Sequence, residues 1–341
     1  MFNQPFRALE LTMKGDSSVH WSESHGSGKN RRTVHYRSNE CYMDIKVFLF
    51  GNGKDKAVIK TGSHRFPFAI TLPLTLPSSF QGEHGNVIYS LKCKVDRPWK
   101  VDNKVQLMLS IVSLLDLNYQ PTAMMPITAT NTKTFGCLMC KSGPLTATLN
   151  AEKGGYVSGE TLMFNAQIEN NSNKLMTKSS IKIIESTTYK TSRKQRTWKR
   201  TVCRHDKEGI PPGGSFSWEN IGLLIPPLPP SNLINCNIID VDYVLELSVD
   251  PSGIGFDLEV VAPIIIGTIP LQQSYQYIQQ GTGMLPPAYP GGQAEASAPP
   301  PPSYGETVFG GTEMEKEENN VVQGGDMFAP QYPTYNFNAP M

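Results

Sequence analysis

Apolar side chains recur at every second position over several stretches of the chain. Val87, Tyr89, Leu91, Cys93 and Val95 form one series, and Leu145, Ala147 and Leu149 a second. Leu162, Phe164, Ala166 and Ile168 form a third, and Val241, Tyr243, Leu245, Leu247 and Val249 a fourth. A period of two places these residues on one face of a pleated strand. Phe66, Phe68 and Ile70, alternating with Pro67, Ala69 and Thr71, predict a further strand, as does Tyr42 to Phe50 ahead of the turn Gly51-Asn52-Gly53. No amphipathic helical pattern of comparable length occurs. The most apolar run, Val260 to Leu271, is broken by Pro263, Gly267 and Pro270. It falls short of the ~20 residues that a membrane-spanning helix needs and reads as a buried strand.

Short strands separated by Gly/Pro-rich turns predict an all-β fold of two tandem β-sandwiches, at ~100 residues per sandwich. The first block covers residues 1–118 and the second 143–271. Between them, 119–142 is rich in Thr, Pro, Met and Asn without sustained periodicity and reads as a linker. After Leu271 the composition turns to Gln, Gly, Pro, Ser and Ala with isolated tyrosines. Residues 272–341 are therefore expected to be a disordered Pro-rich tail, because such a chain buries too little to offset its ordering entropy.

Charge and cysteine content narrow the class. Lys plus Arg number 31 against 30 acidic residues, a net charge of +1, so there is no global field to draw the chain to nucleic acid. Six cysteines spread over 341 residues fit reduced thiols in the cytoplasm better than a disulfide framework. The start, Met1 to Arg7, has no secretory signal pattern. Cys137 and Cys140 supply half of a tetrahedral zinc set, with no second pair following. They read more simply as ordinary thiols. The six histidines fall in no nucleophile elbow, zincin helix or phosphate loop, so no enzyme and no cofactor is expected.

One local charge cluster stands out: Lys190, Arg193, Lys194, Arg196, Lys199 and Arg200, six cations within eleven residues. It suits peripheral contact with anionic lipid head groups or with phosphate on a partner, or else it is a solvated hairpin that blunts a sheet edge. The sharper signal lies in the tail. Pro286-Pro287-Ala288-Tyr289 and Pro301-Pro302-Ser303-Tyr304 both read Pro-Pro-x-Tyr. Such a segment is pre-set in polyproline II, so a WW domain grips its prolines between aromatic rings with little ordering loss while a second pocket takes the tyrosine. Tyr332 and Tyr335 lack paired prolines and do not fit this pattern.

In order along the chain come Gly62-Ser63-His64, Pro77-Ser78-Ser79-Phe80-Gln81-Gly82-Glu83-His84-Gly85 and Arg97-Pro98-Trp99. Ser142-Gly143-Pro144, Gly155-Tyr156-Val157-Ser158-Gly159-Glu160, Ile225-Pro226-Pro227-Leu228 and Ile266-Gly267-Thr268-Ile269-Pro270-Leu271 follow. With the Pro-Pro-x-Tyr motifs behind it, this series resembles the arrestin-domain-containing proteins, the α-arrestins. The resemblance implies two arrestin-type β-sandwiches that bind membrane receptors or transporters as cargo. It also implies a tail that recruits WW-domain HECT-type ubiquitin ligases for endocytosis and endosomal sorting, at the plasma membrane and endosomes. A sorting-coat or receptor scaffold without a ligase is the alternative. Ala8-Leu9-Glu10-Leu11 resembles a strand from inside the family's first sandwich. The opening strands are thus expected to be absent and the first domain to carry exposed edges.

Overall fold

The structure is a computed structural model and describes residues 6–99, 102–135, 142–253, 256–274, 312–313, 320–323 and 327–337. In the first block, β1 (Ala8–His25) and β2 (Arg32–Gly51) pair antiparallel over their full length. Strands β3 (Phe80–Gln81), β4 (Gly85–Asp96) and β5 (Asn103–Leu109) complete the sheet, with β4 between β1 and β5. Gly15 permits this packing: a Cβ there would stand 2.5 Å from the Tyr89 ring. That ring is fully buried and its hydroxyl donates to the Pro77 carbonyl at 2.7 Å.

The second block is a sandwich of two sheets. One has the order β12 (Ser215–Leu224), β9 (Thr161–Asn170), β7 (Pro144–Ala151), β6 (Ile127–Thr134). The other runs β11 (Gln195–Ile210), β10 (Met176–Lys190), β13 (Ile239–Pro251), β14 (Leu258–Gly267), β8 (Gly155–Val157). The alternations of the sequence are the core-facing rows: Leu145, Ala147, Leu149, Leu162, Ile168, Val241, Leu245, Leu247 and Val249 are completely buried. In β14, Val260, Ala262, Ile264 and Ile266 point inward while Glu259, Val261 and Pro263 face out, as a half-buried strand requires. Each buried Val, Leu or Ile of these rows contributes about 1.5–3 kcal/mol by leaving water.

Two expectations are corrected. The linker contains a strand: β6 pairs along its length with β7, and its threonines form a ladder, Thr130 to Thr148 at 3.0 Å and Thr132 to Thr146 at 3.2 Å. A threonine-rich strand with one polar face has β-branched propensity but no apolar alternation to reveal it. Conversely, the predicted strand at Phe66 to Thr71 does not form. No described segment pairs with it, Pro67 and Pro73 donate no backbone hydrogen, and Phe68 and Leu74 stand exposed. Among the described residues the first block therefore presents one sheet.

The two blocks share a continuous apolar core, running from Met13, Trp21 and Tyr89 to Ile183, Leu245 and Trp218. Three short strands follow the second block: β15 (Thr312–Glu313), β16 (Asn320–Gln323), parallel to β5, and β17 (Met327–Phe328), paired with β15. Although the tail was expected to stay free from residue 272 onward, residues 328–337 are seated on the body, with Tyr332 buried. No helix among the described residues is long and apolar enough to cross a membrane.

Candidate functional site

Of the motifs singled out in the first block, Pro77 to Gly85 lies against the second block, at the seam between the two. Before β4, the serines of Pro77-Ser78-Ser79-Phe80 are fully buried and act as backbone substitutes. Ser78 Oγ accepts from the Ser113 amide and Ser79 Oγ from the Ile111 amide, each at 2.9 Å. The turn that follows presses against the second block. A Cβ on Gly82 would meet the Tyr189 hydroxyl at 2.2 Å, so only glycine fits. His84 packs edge-on against Tyr189 at 5.4 Å and Trp198 at 5.9 Å, with Trp21 at 6.4 Å. Burial, reinforced by the nearby Arg196 cation, holds its imidazole below the usual pKa.

On the facing side, Gly155 to Glu160 forms β8 and a tight turn. Val157 donates to Glu160 Oε2 at 3.1 Å, Lys153 pairs with Glu160, and Ser158 Oγ accepts from the Leu228 amide at 3.0 Å. A second bridge crosses the seam where Glu40 accepts from the Asn237 amide at 3.0 Å and from its side chain at 2.9 Å. Glu40, Cys41, Tyr42, Thr75, Leu76, Asn235 and Asn237 line a shallow cavity of about 430 Å³ there. It is open and gathers no catalytic set.

The basic cluster lies on the hairpin of β10 and β11, and the fold divides it. Arg200 grips Glu185 through Nε at 3.0 Å and Nη2 at 2.7 Å. Tyr243 Oη lies 3.1 Å from the same carboxylate, so this pair belongs to the interior. Lys194 pairs with Glu23 of β1 at 2.7 Å and lies over the Tyr36 ring, while Lys190 reaches Asp240 at 3.4 Å. Arg193, Arg196 and Lys199 remain without an acidic partner among the described residues. Half of the cluster is thus structural, which charge counting could not tell.

Pro286, Pro287, Tyr289, Pro301, Pro302 and Tyr304 lie outside the described residues, as do Cys137 and Cys140. The described residues contain no group of three or more His, Cys, Asp or Glu that could hold a metal. Of the cysteines that are described, Cys203 has its thiol pushed up to about 11 by burial. Sequence reading missed Tyr332 and Tyr335, whose aromatic rings close to prolines were the available signal.

A β-sheet block joined through a continuous apolar core to a two-sheet β-sandwich is the class of fold that the motifs of the sequence point to, the arrestin architecture. Comparison with known proteins gives the family. Residues 3–118 match the family model of the arrestin (or S-antigen) N-terminal domain, and 141–271 that of the C-terminal domain. Arrestin domain-containing protein 17 of Caenorhabditis elegans is 28% identical over 95% of this chain and 90% of its own length. Arrestin domain-containing protein 1 of Rattus norvegicus is 30% identical over 87% of this chain, and the chain spans 66% of that relative. Arrestin domain-containing protein 4 of Homo sapiens is 32% identical over 77% of this chain and 63% of its own length. The chain belongs to the arrestin-domain-containing (α-arrestin) family and is by class an arrestin-type adaptor.

Proposed function

We propose that this protein is a non-enzymatic trafficking adaptor that holds membrane cargo on its arrestin body and recruits a WW-domain HECT-type ubiquitin ligase through two Pro-Pro-x-Tyr motifs. The observation that carries the reading is the order of parts: two arrestin domains, then Pro286 to Tyr289 and Pro301 to Tyr304 behind them. The partners are receptors or transporters on one side and the ligase on the other, so that cargo is ubiquitinated for endocytosis and endosomal sorting. The protein is cytoplasmic and moves to the plasma membrane and endosomes with its cargo. Arg193, Arg196 and Lys199, the members of the basic cluster without an acidic partner among the described residues, contact lipid head groups or phosphorylated cargo tails.

The test is cargo ubiquitination in cells carrying Tyr289→Ala with Tyr304→Ala. The expected result is loss of ubiquitination with cargo binding retained. Unchanged ubiquitination would instead support an arrestin-fold scaffold that acts without a ligase.

A further inference from the structure

Residues 328–337 hydrogen-bond to the body on both sides of the seam. Toward the first block, the Gln331 amide donates to Ser110 Oγ at 3.1 Å and the Tyr332 hydroxyl to the Ser79 carbonyl at 2.9 Å. Toward the second, the Tyr335 amide donates to the Ser158 carbonyl at 3.0 Å and the Tyr335 hydroxyl to the Thr268 carbonyl at 2.7 Å. Tyr332, 6% exposed, enters the core shared by both blocks, while Tyr335 and Phe337 pack on Leu117, Ala123, Val157 and Leu271.

The receiving surface is shaped for a backbone. Gly159, at φ +89°, lies beneath the segment, and a Cβ there would stand 1.9 Å from the Tyr335 carbonyl oxygen. Two main-chain donors of the segment, the Gln331 and Tyr335 amides, find acceptors in Ser110 Oγ and the Ser158 carbonyl, and the Ser79 and Thr268 carbonyls add side-chain selection by holding the two tyrosine hydroxyls. We propose that the seam is a peptide-binding groove whose ligand is the chain's own Pro330 to Phe337 segment, and that phosphorylation of Tyr332 keeps the segment undocked.

The phenol of Tyr332 is held neutral, because burial and the adjacent Glu185 raise its pKa well above the ordinary value. Its single proton is committed to the Ser79 carbonyl. A tyrosine kinase acting on the undocked segment transfers the γ-phosphoryl group of ATP to the phenolic oxygen. An O–P bond forms, the bond to ADP breaks and the phenolic proton is lost. The ester oxygen then has no proton to donate, and about −1.5 to −2 charges cannot return cheaply to a buried pocket sized for a neutral phenol, where the nearby Arg200 guanidinium is already committed to Glu185 through two bonds. Phosphorylation thus traps the undocked state. Because the readouts below are exchange and peptide binding, the inference does not depend on ligase recruitment.

Hydrogen–deuterium exchange on the full chain should show residues 327–337 protected in the native protein and unprotected in Tyr332→Asp, with the arrestin body unchanged. A labelled peptide of residues 327–337 should then bind saturably to full-length Tyr332→Asp. The same peptide phosphorylated on Tyr332 should bind at least 10-fold more weakly, and its Tyr332→Phe version only a few-fold more weakly. As a form that keeps the native groove, a full chain cut after folding at a protease site placed between Gly324 and Gly325 should release its C-terminal piece and bind the peptide in its place. Exchange of 327–337 at the rate of a free peptide in the native chain would overturn the proposal. So would failure of the peptide to bind both forms, or equal binding of the phosphorylated peptide.

Discussion

His84 shows how much a single residue in this seam is asked to do. Its ring fills the space between Tyr189, Trp198 and Trp21, and Nε2 is buried without a hydrogen-bond partner. Protonation would place a second cation beside Arg196 in a site with little water, which is why the folded-state pKa falls below 6.5. The sign of the pH effect follows. With a depressed folded pKa, the unfolded chain binds the proton first, so the contribution of the neutral ring is complete above about pH 6.5 and is lost as pH falls through the folded value. Thermal melts from pH 7.5 to 5 should show the native protein losing Tm on acidification, and His84→Gln should flatten that part of the profile. Parallel pH profiles for the two proteins would refute this account of the ring. In the sequence the histidine stands between Glu83 and Gly85 in the Pro77 to Gly85 motif. Its burial is not legible there, because the aromatic walls come from β1, β10 and β11, and no local pattern joins positions so far apart.

At the scale of elements, legibility followed periodicity. Strands β4, β7, β9 and β13 lie where alternation put them, and β14 lies where the apolar run from Val260 did. The failures have the same physical root. Strand β6 is polar on both sides apart from the half-buried Ile127 and Ala129, so a pattern reading saw a linker. Phe66 to Thr71 has the alternation but no described neighbouring strand, and a ladder needs two sides. Assigning β6 to the second block has a measurable consequence. A fragment of residues 143–271 leaves the edge of β7 bare and removes the buried Phe135, whereas 119–271 retains both. The longer fragment should be more stable by about 3 kcal/mol or more, in line with the loss of a large core aromatic. Denaturant unfolding of the two fragments checks this. Equal midpoints and slopes would mean that β6 is only laid against the sandwich. The seat of Tyr332 was illegible for a different reason: its pocket exists only after both blocks have come together, and an isolated tyrosine in a polar tail carries no periodic signal.

For the whole molecule, the proposed adaptor role gives the body and the Pro-Pro-x-Tyr region separate tasks and depends on their independence. The two motif tyrosines are fifteen residues apart, a span of roughly 20 Å for a flexible chain, lengthened by local proline stiffness. Two linked WW domains can reach that separation, and the second contact then forms at an effective concentration set by the linker rather than by bulk ligand. A peptide covering Leu285 to Gly305 should therefore bind a tandem-WW fragment of a HECT-type ligase more tightly than either half does. The gain can reach about 10²-fold or more when the geometry permits both contacts. Tyr289→Ala and Tyr304→Ala should each remove most of that gain, and together they should abolish binding, since each phenol fills its own pocket. The Tm of the full chain should not change in the double variant, because the proposal assigns both tyrosines to ligase binding and neither to the arrestin body. Calorimetry separates the possibilities. If the double variant binds as the native peptide does, the prolines alone drive association and the tyrosine pockets have no part. Loss of binding accompanied by a lowered Tm would show instead that this region contributes to the fold, and that the adaptor's two tasks are not separable.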